Sequence, residues 1–273
     1  MLNKRLAVLG HPVSHSRSPA MHTAALDALG LAGEWSYEAI DVPVEEIIEF
    51  IAGMPGQGFV GANVTVPHKQ AALIAADEAT LAAREIGAAN TLSFRDGLIH
   101  AANTDALAIA ECLPYSPGGK KALVMGAGGS ARAAVWALRE AGAVVNVWNR
   151  TPSKAEALAA EFGVGLSTQD AELVVNSTTV GMGSASRGEP LGEPGDPNLK
   201  ALPLFSDGIR AKVVIDLVYG SRETDLIMAA RAAGAATVDG LEILVRQGAA
   251  SLRAWTGAEP PLEVMMKAAR GSS

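Results

Sequence analysis

The chain has 273 residues, 49% of them hydrophobic and 19% charged, with a formal net charge of −7. At roughly 100–200 residues per domain that length points to about two domains, and the apolar content excludes a largely disordered chain. The acidic balance removes the usual electrostatic footing for nucleic-acid binding, and no apolar run approaches the ~18 residues of a membrane-crossing helix.

A β-rich run, Arg5–Gly10, comes first. Only Leu6–Leu9 is apolar behind Lys4 and Arg5, short of the ~7–15 residues of a signal peptide, so a cytoplasmic protein is expected. The single cysteine, Cys112, cannot form an intrachain disulfide. It fits a reducing compartment and reads as a packing residue on a helix.

Ser14-His15-Ser16-Arg17-Ser18-Pro19 follows the first strand and opens a helix over Ala20–Leu29. Alone, Ser18-Pro19 reads as an N-cap followed by a first-turn proline. Trp35–Val42 is the next strand, Val44–Gly53 a helix and Gly61–Val66 a third strand. Alternation puts Asn63 and Thr65 on one face of it and Val64 and Val66 on the other. Lys69 stands in the turn before a helix over Ala71–Ala76.

Asn90 and Asn103-Thr104-Asp105 come next, the latter ahead of a helix over Ala106–Leu113. Hydroxyls, amides and one cation in this mix suit a ligand rich in hydroxyls that carries a carboxylate. Plainer readings are a helix cap for Asn103-Thr104-Asp105 and a solvated Lys69. The five histidines form no recognised ligand motif, so no metal site is expected.

Leu113–Gly119 is a proline- and glycine-rich connector, the signal of a domain boundary. Beyond it the strand Ala122–Gly126 runs into Gly126-Ala127-Gly128-Gly129-Ser130-Ala131 and a helix over Ser130–Ala141. This is the dinucleotide-binding arrangement in its Gly-x-Gly-x-x-Ala form. Gly126 permits the tight turn, Gly128 lets the backbone approach a pyrophosphate, and Ala131 allows close helix–strand packing. The helix N-terminus then offers its free N–H groups to the anion.

The following strand, Val144–Asn149, ends in Asn149-Arg150-Thr151 without the acid that binds the ribose hydroxyl of NAD. Arg150, Thr151, Ser153 and Lys154 suit a 2′-phosphate instead, which favours NADP. Thr151 also reads as the N-cap of a helix with Pro152 in its first turn, and both readings hold together. A helix over Lys154–Glu161, a strand Leu173–Asn176, a loop over Gly181–Pro203, a strand Val213–Leu217 and helices over Thr224–Ala233 and Leu241–Thr256 complete the chain. This alternation predicts an α/β fold with mostly parallel sheets.

Gly10–Pro19, Asn63–Lys69 and Gly87-Ala88-Ala89-Asn90-Thr91 resemble signature blocks of the shikimate dehydrogenases. So do Asn103-Thr104-Asp105, Gly126–Ser130, Asn149-Arg150-Thr151, and Asp239-Gly240-Leu241 with Gln247, in the family's order. The resemblance implies NADPH-dependent reduction of 3-dehydroshikimate to shikimate. It also implies an N-terminal α/β substrate domain over 1–104, a Rossmann-type doubly wound NADP domain over 105–239, and C-terminal helices over 240–273 that return to the first domain.

By matching position it assigns the substrate to Ser16, Ser18, Asn63, Thr65, Asn90, Asp105, Tyr219 and Gln247. Lys69 becomes the catalytic acid/base, paired with Asp105. The cofactor falls to Gly126, Ala127, Gly128, Gly129, Ser130, Asn149, Arg150, Thr151, Lys154, Leu217 and Gly240. Ala101, Lys154 and Leu217 depart from residues common in the family without removing a group the reaction needs. The alternatives are a quinate/shikimate dehydrogenase of broader choice and a catalytically silent dinucleotide-binding regulator, which would be expected to lose Lys69 or Asp105. Small molecules are the expected partners, with no nucleic acid and no membrane, and a homodimer is compatible with the chain.

Overall fold

The computed structural model describes residues 4–181, 202–203, 209–220 and 222–271. The chain divides into two compact units, Met1–Asp105 with Leu244–Ser273, and Ala106–Ile243. Apart from Gly181, Leu202 and Pro203, the stretch read as a loop over Gly181–Pro203 lies outside the described residues.

The first unit begins with β1 (Lys4–Gly10), α1 (Ser18–Ala28), β2 (Trp35–Asp41), α2 (Ile47–Gly53) and a 3-10 turn at Pro55–Gln57. It continues through β3 (Phe59–Val64), α3 (Lys69–Ile74), β4 (Glu78–Ala79), α4 (Leu81–Ile86), β5 (Thr91–Arg95), β6 (Leu98–Ala102) and the start of α5 (Thr104–Glu111). The strands form one sheet in the order β2-β1-β3-β5-β6-β4. Leu9, Ile47, Ile51, Met54, Phe59 and Leu92 are the large side chains of one buried cluster against it.

The expected parallel pairing holds for β1 with β2 and β3, but β5 runs antiparallel to both β3 and β6. For β5 and β6 the reason is local. Asp96 and Gly97 both have positive φ, 56° and 76°, the two-residue turn whose twist matches a hairpin. Strand β3 also ends two residues earlier than expected. Thr65 N donates to Leu9 O and His68 N to Thr65 O, which closes a turn and leaves Val66 51% exposed instead of facing a core. Helix α1 starts at Ser18, with Arg17 in the cap position and no side-chain cap bond, so Ser18 is not the N-cap.

The second unit contains β7 (Lys121–Met125), α6 (Gly129–Glu140), β8 (Val144–Trp148), α7 (Pro152–Phe162), β9 (Leu173–Asn176), β10 (Val213–Asp216), α8 (Asp225–Ala232) and β11 (Ala236–Val238). Its sheet has the order β11-β10-β9-β7-β8, and every pairing is parallel. Leu123, Met125, Val174 and Val214 are buried completely, as strands covered on both faces require. Cys112, expected on a helix, lies one residue past α5 and is half-buried.

Helix α9 (Gly240–Thr256) and helix α10 (Leu262–Arg270) end the described chain. From Leu244 onward they belong to the first unit, where α10 packs on α1. Among the described residues no helix is long and apolar enough to cross a membrane.

Candidate active site

Lys69 is the first residue of α3 and is only 8% exposed. An unpaired cation is costly at that depth, and its partner is close: Nζ donates to Asp105 Oδ2 at 2.6 Å. Asp105 lies in the first turn of α5, where the helix dipole favours an anion. Its other oxygen, Oδ1, accepts from Asn90 Nδ2 at 2.9 Å. Both carboxylate oxygens are thus engaged by side chains, and the solvated reading of Lys69 fails.

Asn90 precedes β5 and is 2% exposed. Its Oδ1 accepts from Thr104 N at 2.7 Å, so the amide secures the start of α5 while it orients Asp105. Its Nδ2 also lies 3.1 Å from Gln247 Oε1 and 3.0 Å from Thr104 Oγ1. Gln247 is held on α9 by its own bond from Nε2 to Leu244 O at 2.8 Å. Asn103, beside them in sequence, donates from Nδ2 to Ala88 O at 2.9 Å.

Asn63 projects from β3 beneath α9. Tyr37 Oη donates to its Oδ1 at 2.8 Å, and its Nδ2 donates to Ser251 Oγ at 2.9 Å. The Tyr37 ring stacks on His22, with centroids 4.2 Å apart and planes at 6°. Complete burial pushes the His22 imidazole down to about 3, against a smaller opposing pull from Asn63, so His22 is a neutral wall.

Ser16 stands on the connection from β1 to α1 and Ser18 opens α1, where Ser18 N donates to Ser16 Oγ at 3.3 Å. Asp41 braces that connection, with Oδ1 2.6 Å from His11 Nδ1 and Oδ2 accepting from Val13 N. Thr65 follows β3 and is half-buried. The first unit therefore brings Lys69, Asp105, Asn90, Asn63 and Gln247 into one bonded group, with Ser16 and Thr65 on the turns after β1 and β3 and Ser18 at the start of α1. Tyr219 belongs to the second unit, half-buried in the segment after β10.

In the second unit the glycine turn is set by two different constraints. Gly126 has φ +121°, and a Cβ there would collide with Ser177 Oγ, so glycine is obligatory. Gly128 sits in the cap position of α6 with extended backbone, and a Cβ there would meet nothing within 4 Å. That open space fits a pyrophosphate on the N–H groups of Gly129 and Ser130. Ala127 is half-buried beside them, and Ala131 is completely buried, where a larger side chain would push the helix off the sheet.

Asn149 Nδ2 donates to Thr151 O at 3.0 Å, shaping the turn into α7. Thr151 occupies the cap position of α7 with no side-chain cap bond. Arg150, Thr151 and Lys154 are all exposed there. On the far side of the sheet, a Cβ at Gly240 would lie 2.8 Å from Leu217 O, so these two candidate cofactor residues adjoin. Asp239 Oδ1 accepts from Glu242 N at 2.9 Å and thereby caps α9.

Asp216, at the end of β10, was not among the candidates. It is fully buried and accepts from Asn176 Nδ2, Val218 N and Thr224 Oγ1 at 2.9, 3.1 and 2.6 Å. Desolvation still dominates and raises its carboxyl from 3.8 to about 6. The signal available was an acid closing the apolar run Val213-Val214-Ile215. Thr91, Thr104 and Ser251 also join the buried polar group, and nothing local in the sequence marks Ser251.

A parallel sheet with a glycine turn, in a chain that elsewhere buries a lysine–carboxylate pair among amides, defines a dinucleotide-dependent oxidoreductase. Residues 8–92 match the shikimate dehydrogenase substrate binding domain, 109–192 the shikimate / quinate 5-dehydrogenase model, and 240–270 the shikimate 5'-dehydrogenase C-terminal domain. The shikimate dehydrogenase (NADP(+)) of Thermus thermophilus is 43% identical, over 97% of both chains. That of Mesorhizobium japonicum is 40% identical, over 97% of this chain and 95% of its own. The crystal structure of Thermus thermophilus shikimate 5-dehydrogenase in complex with NADP(H) and shikimate covers 98% of each chain, with a TM-score of 0.81 and 42% identity. This chain belongs to the shikimate dehydrogenase family.

Proposed function

We propose that the chain catalyses the reversible, NADPH-dependent reduction of 3-dehydroshikimate to shikimate, a step of aromatic amino-acid biosynthesis. The observation that carries the reading is the buried Lys69–Asp105 pair, held at 2.6 Å and oriented by Asn90. The relatives named above supply the substrate and the cofactor.

Bound NADPH supplies the hydride. Lys69 donates a proton to the carbonyl oxygen as negative charge develops there, and takes it back in the oxidative direction. Asp105 holds the ammonium in place and accepts from a substrate hydroxyl. Ser16, Ser18, Asn63, Thr65, Asn90 and Gln247 of the first unit offer the substrate donors and acceptors, and Tyr219 of the second unit is a further candidate by family resemblance. Gly126, Ala127, Gly128, Gly129 and Ser130 hold the pyrophosphate. Arg150, Thr151 and Lys154 hold the 2′-phosphate, and Asn149, Leu217 and Gly240 contact the cofactor elsewhere. The first unit acts as the substrate unit and the second as the cofactor unit. A cytoplasmic enzyme whose partners are small molecules completes the reading, and sedimentation velocity tests the homodimer.

The deciding experiment compares rates with shikimate and quinate, each with NADP and with NAD. Shikimate with NADP is expected to be fastest. Comparable rates with quinate and NAD would replace this reading by the quinate/shikimate alternative.

A further inference from the structure

The parallel ladder between β9 and β10 ends on one bond, from Leu217 N to Asn176 O at 2.9 Å. Past Asn176 the chain turns back on itself, with Thr178 N and Thr178 Oγ1 donating to Asn176 Oδ1 at 3.1 and 2.7 Å. Val218 is buried, and its N–H finds no further acceptor on β9. An N–H left unbonded at that depth is costly. Asp216, two residues earlier, takes the place of the missing strand: its Oδ1 accepts from Val218 N at 3.1 Å. Among the described residues no other acceptor reaches that N–H.

The carboxylate is itself immobilised. Its Oδ1 also accepts from Asn176 Nδ2 at 2.9 Å, and its Oδ2 accepts from Thr224 Oγ1 at 2.6 Å. Thr224 in turn accepts from Ile227 N at 3.3 Å and caps α8. Asp216 and Asn176 are both completely buried. Three donors converge on one side chain, and a carboxylate is the group that offers acceptors alone. Asp216 thus ties together the end of β9, the end of β10 and the start of α8. Ligands of open parallel sheets bind outside the carboxyl ends of the strands, which is where these three meet. The anchored Val218 is flanked there by Leu217 and Tyr219, both only half-buried. On its other side the Val218 carbonyl is pressed against Gly240, where a Cβ would collide with it.

We propose that Asp216 is a positioning residue for the cofactor: it fixes Val218 and so presents the segment Leu217–Tyr219 to the nicotinamide nucleotide. This rests on the reading above, which gives Leu217 to the cofactor. Arg150 follows β8, and in the sheet order β8 is three strands from β10, about 14 Å at the usual strand spacing. Asp216 therefore acts on what NADP and NAD have in common, not on the 2′-phosphate.

The test is the affinity of the full chain for NADP and for NAD, by fluorescence titration, in wild type, Asp216→Ala and Asp216→Asn. Asp216→Ala is expected to raise both Kd values by one common factor, roughly 3- to 10-fold, the value of one orienting hydrogen bond. Asp216→Asn keeps an oxygen for Val218 N and should retain most of the affinity, whatever its Tm. Unchanged Kd values in Asp216→Ala, even with a lowered Tm, would overturn the proposal. So would a loss confined to NADP, or an equal loss in Asp216→Asn. If Asp216→Ala does not fold, amide hydrogen exchange in the wild type carries the test. The Val218 N–H should be protected before any cofactor is added, and protection that arises only with NADP would overturn the role. A wild type that binds neither nucleotide removes the functional reading itself, whereas binding indifferent to Asp216→Ala removes only the role of Asp216.

Discussion

In the first unit Lys69, Asp105 and Asn90 are each no more than 8% exposed and bond one another, whereas in the second Arg150, Thr151 and Lys154 stand exposed around the start of α7. Burial forces the first group into one geometry, because every lost partner leaves a desolvated polar atom. The exposed group carries no such obligation. The contrast teaches where each kind of damage will register: in turnover and stability for the buried pair, in cofactor affinity for the exposed cations.

The contrast would break first at Lys69. Lys69→Ala is expected to lower kcat about 10²- to 10⁴-fold, the usual loss when general acid/base catalysis is removed. NADP binding, followed by fluorescence titration, should stay near its wild-type value. Turnover close to normal would mean that another group moves the proton.

Asp105→Asn removes one partner of a buried pair, a change that commonly costs about 3–5 kcal/mol of stability. Here turnover and Tm should fall together. A fall in Tm alone would assign Asp105 to the start of α5 instead of the chemistry.

Asp216 sharpens the comparison from within the second unit, where one carboxylate is buried as deeply as any residue of the first. Its carboxyl sits near 6 in the folded chain against an ordinary 3.8, so the folded state binds the proton more tightly. The resulting stabilisation is complete below about pH 4 and is lost as pH rises through about 6, a change of roughly 3 kcal/mol. Chemical denaturation between pH 4 and 7 should show this fall in wild type and a flatter profile in Asp216→Asn. Equal slopes in both proteins would place the titration elsewhere.

The smallest effect is expected at the exposed cations. Arg150→Ala should weaken NADP roughly 10- to 150-fold, the value of a hydrogen bond to a charged group, and leave NAD nearly unaffected. Asn149→Asp should add repulsion of the phosphate and an acceptor for the ribose. Measured kcat/KM for both cofactors decides it, and equal losses in Arg150→Ala would make the arginine a support of the fold.

Much of this molecule was legible in one dimension. The unit built on β7, the glycine turn and α6 reads directly from the chain, because its strand, turn and helix interact over a few residues. Asp96-Gly97 was an equally local signal for the β5–β6 hairpin, whereas the alternation of β3 continues past Val64 into residues that form a turn. Strand patterning alone does not say where a ladder stops, because the stop is a choice of partner: Thr65 N takes Leu9 O.

The amino-acid sequence by itself determined the family, the cofactor turn and the presence of Lys69, Asp105 and Asn90, since each is carried by a short contiguous block. Only the tertiary structure decided what those residues touch. Asn63 and Ser251 are 188 positions apart, and Asn90 meets Gln247 across 157. Asp216 differs from any strand-end acid only in how completely water is removed from it. Hydrogen-bond partners at such separations, and the depth of burial that shifts a carboxyl, depend on how sheets and helices pack in three dimensions.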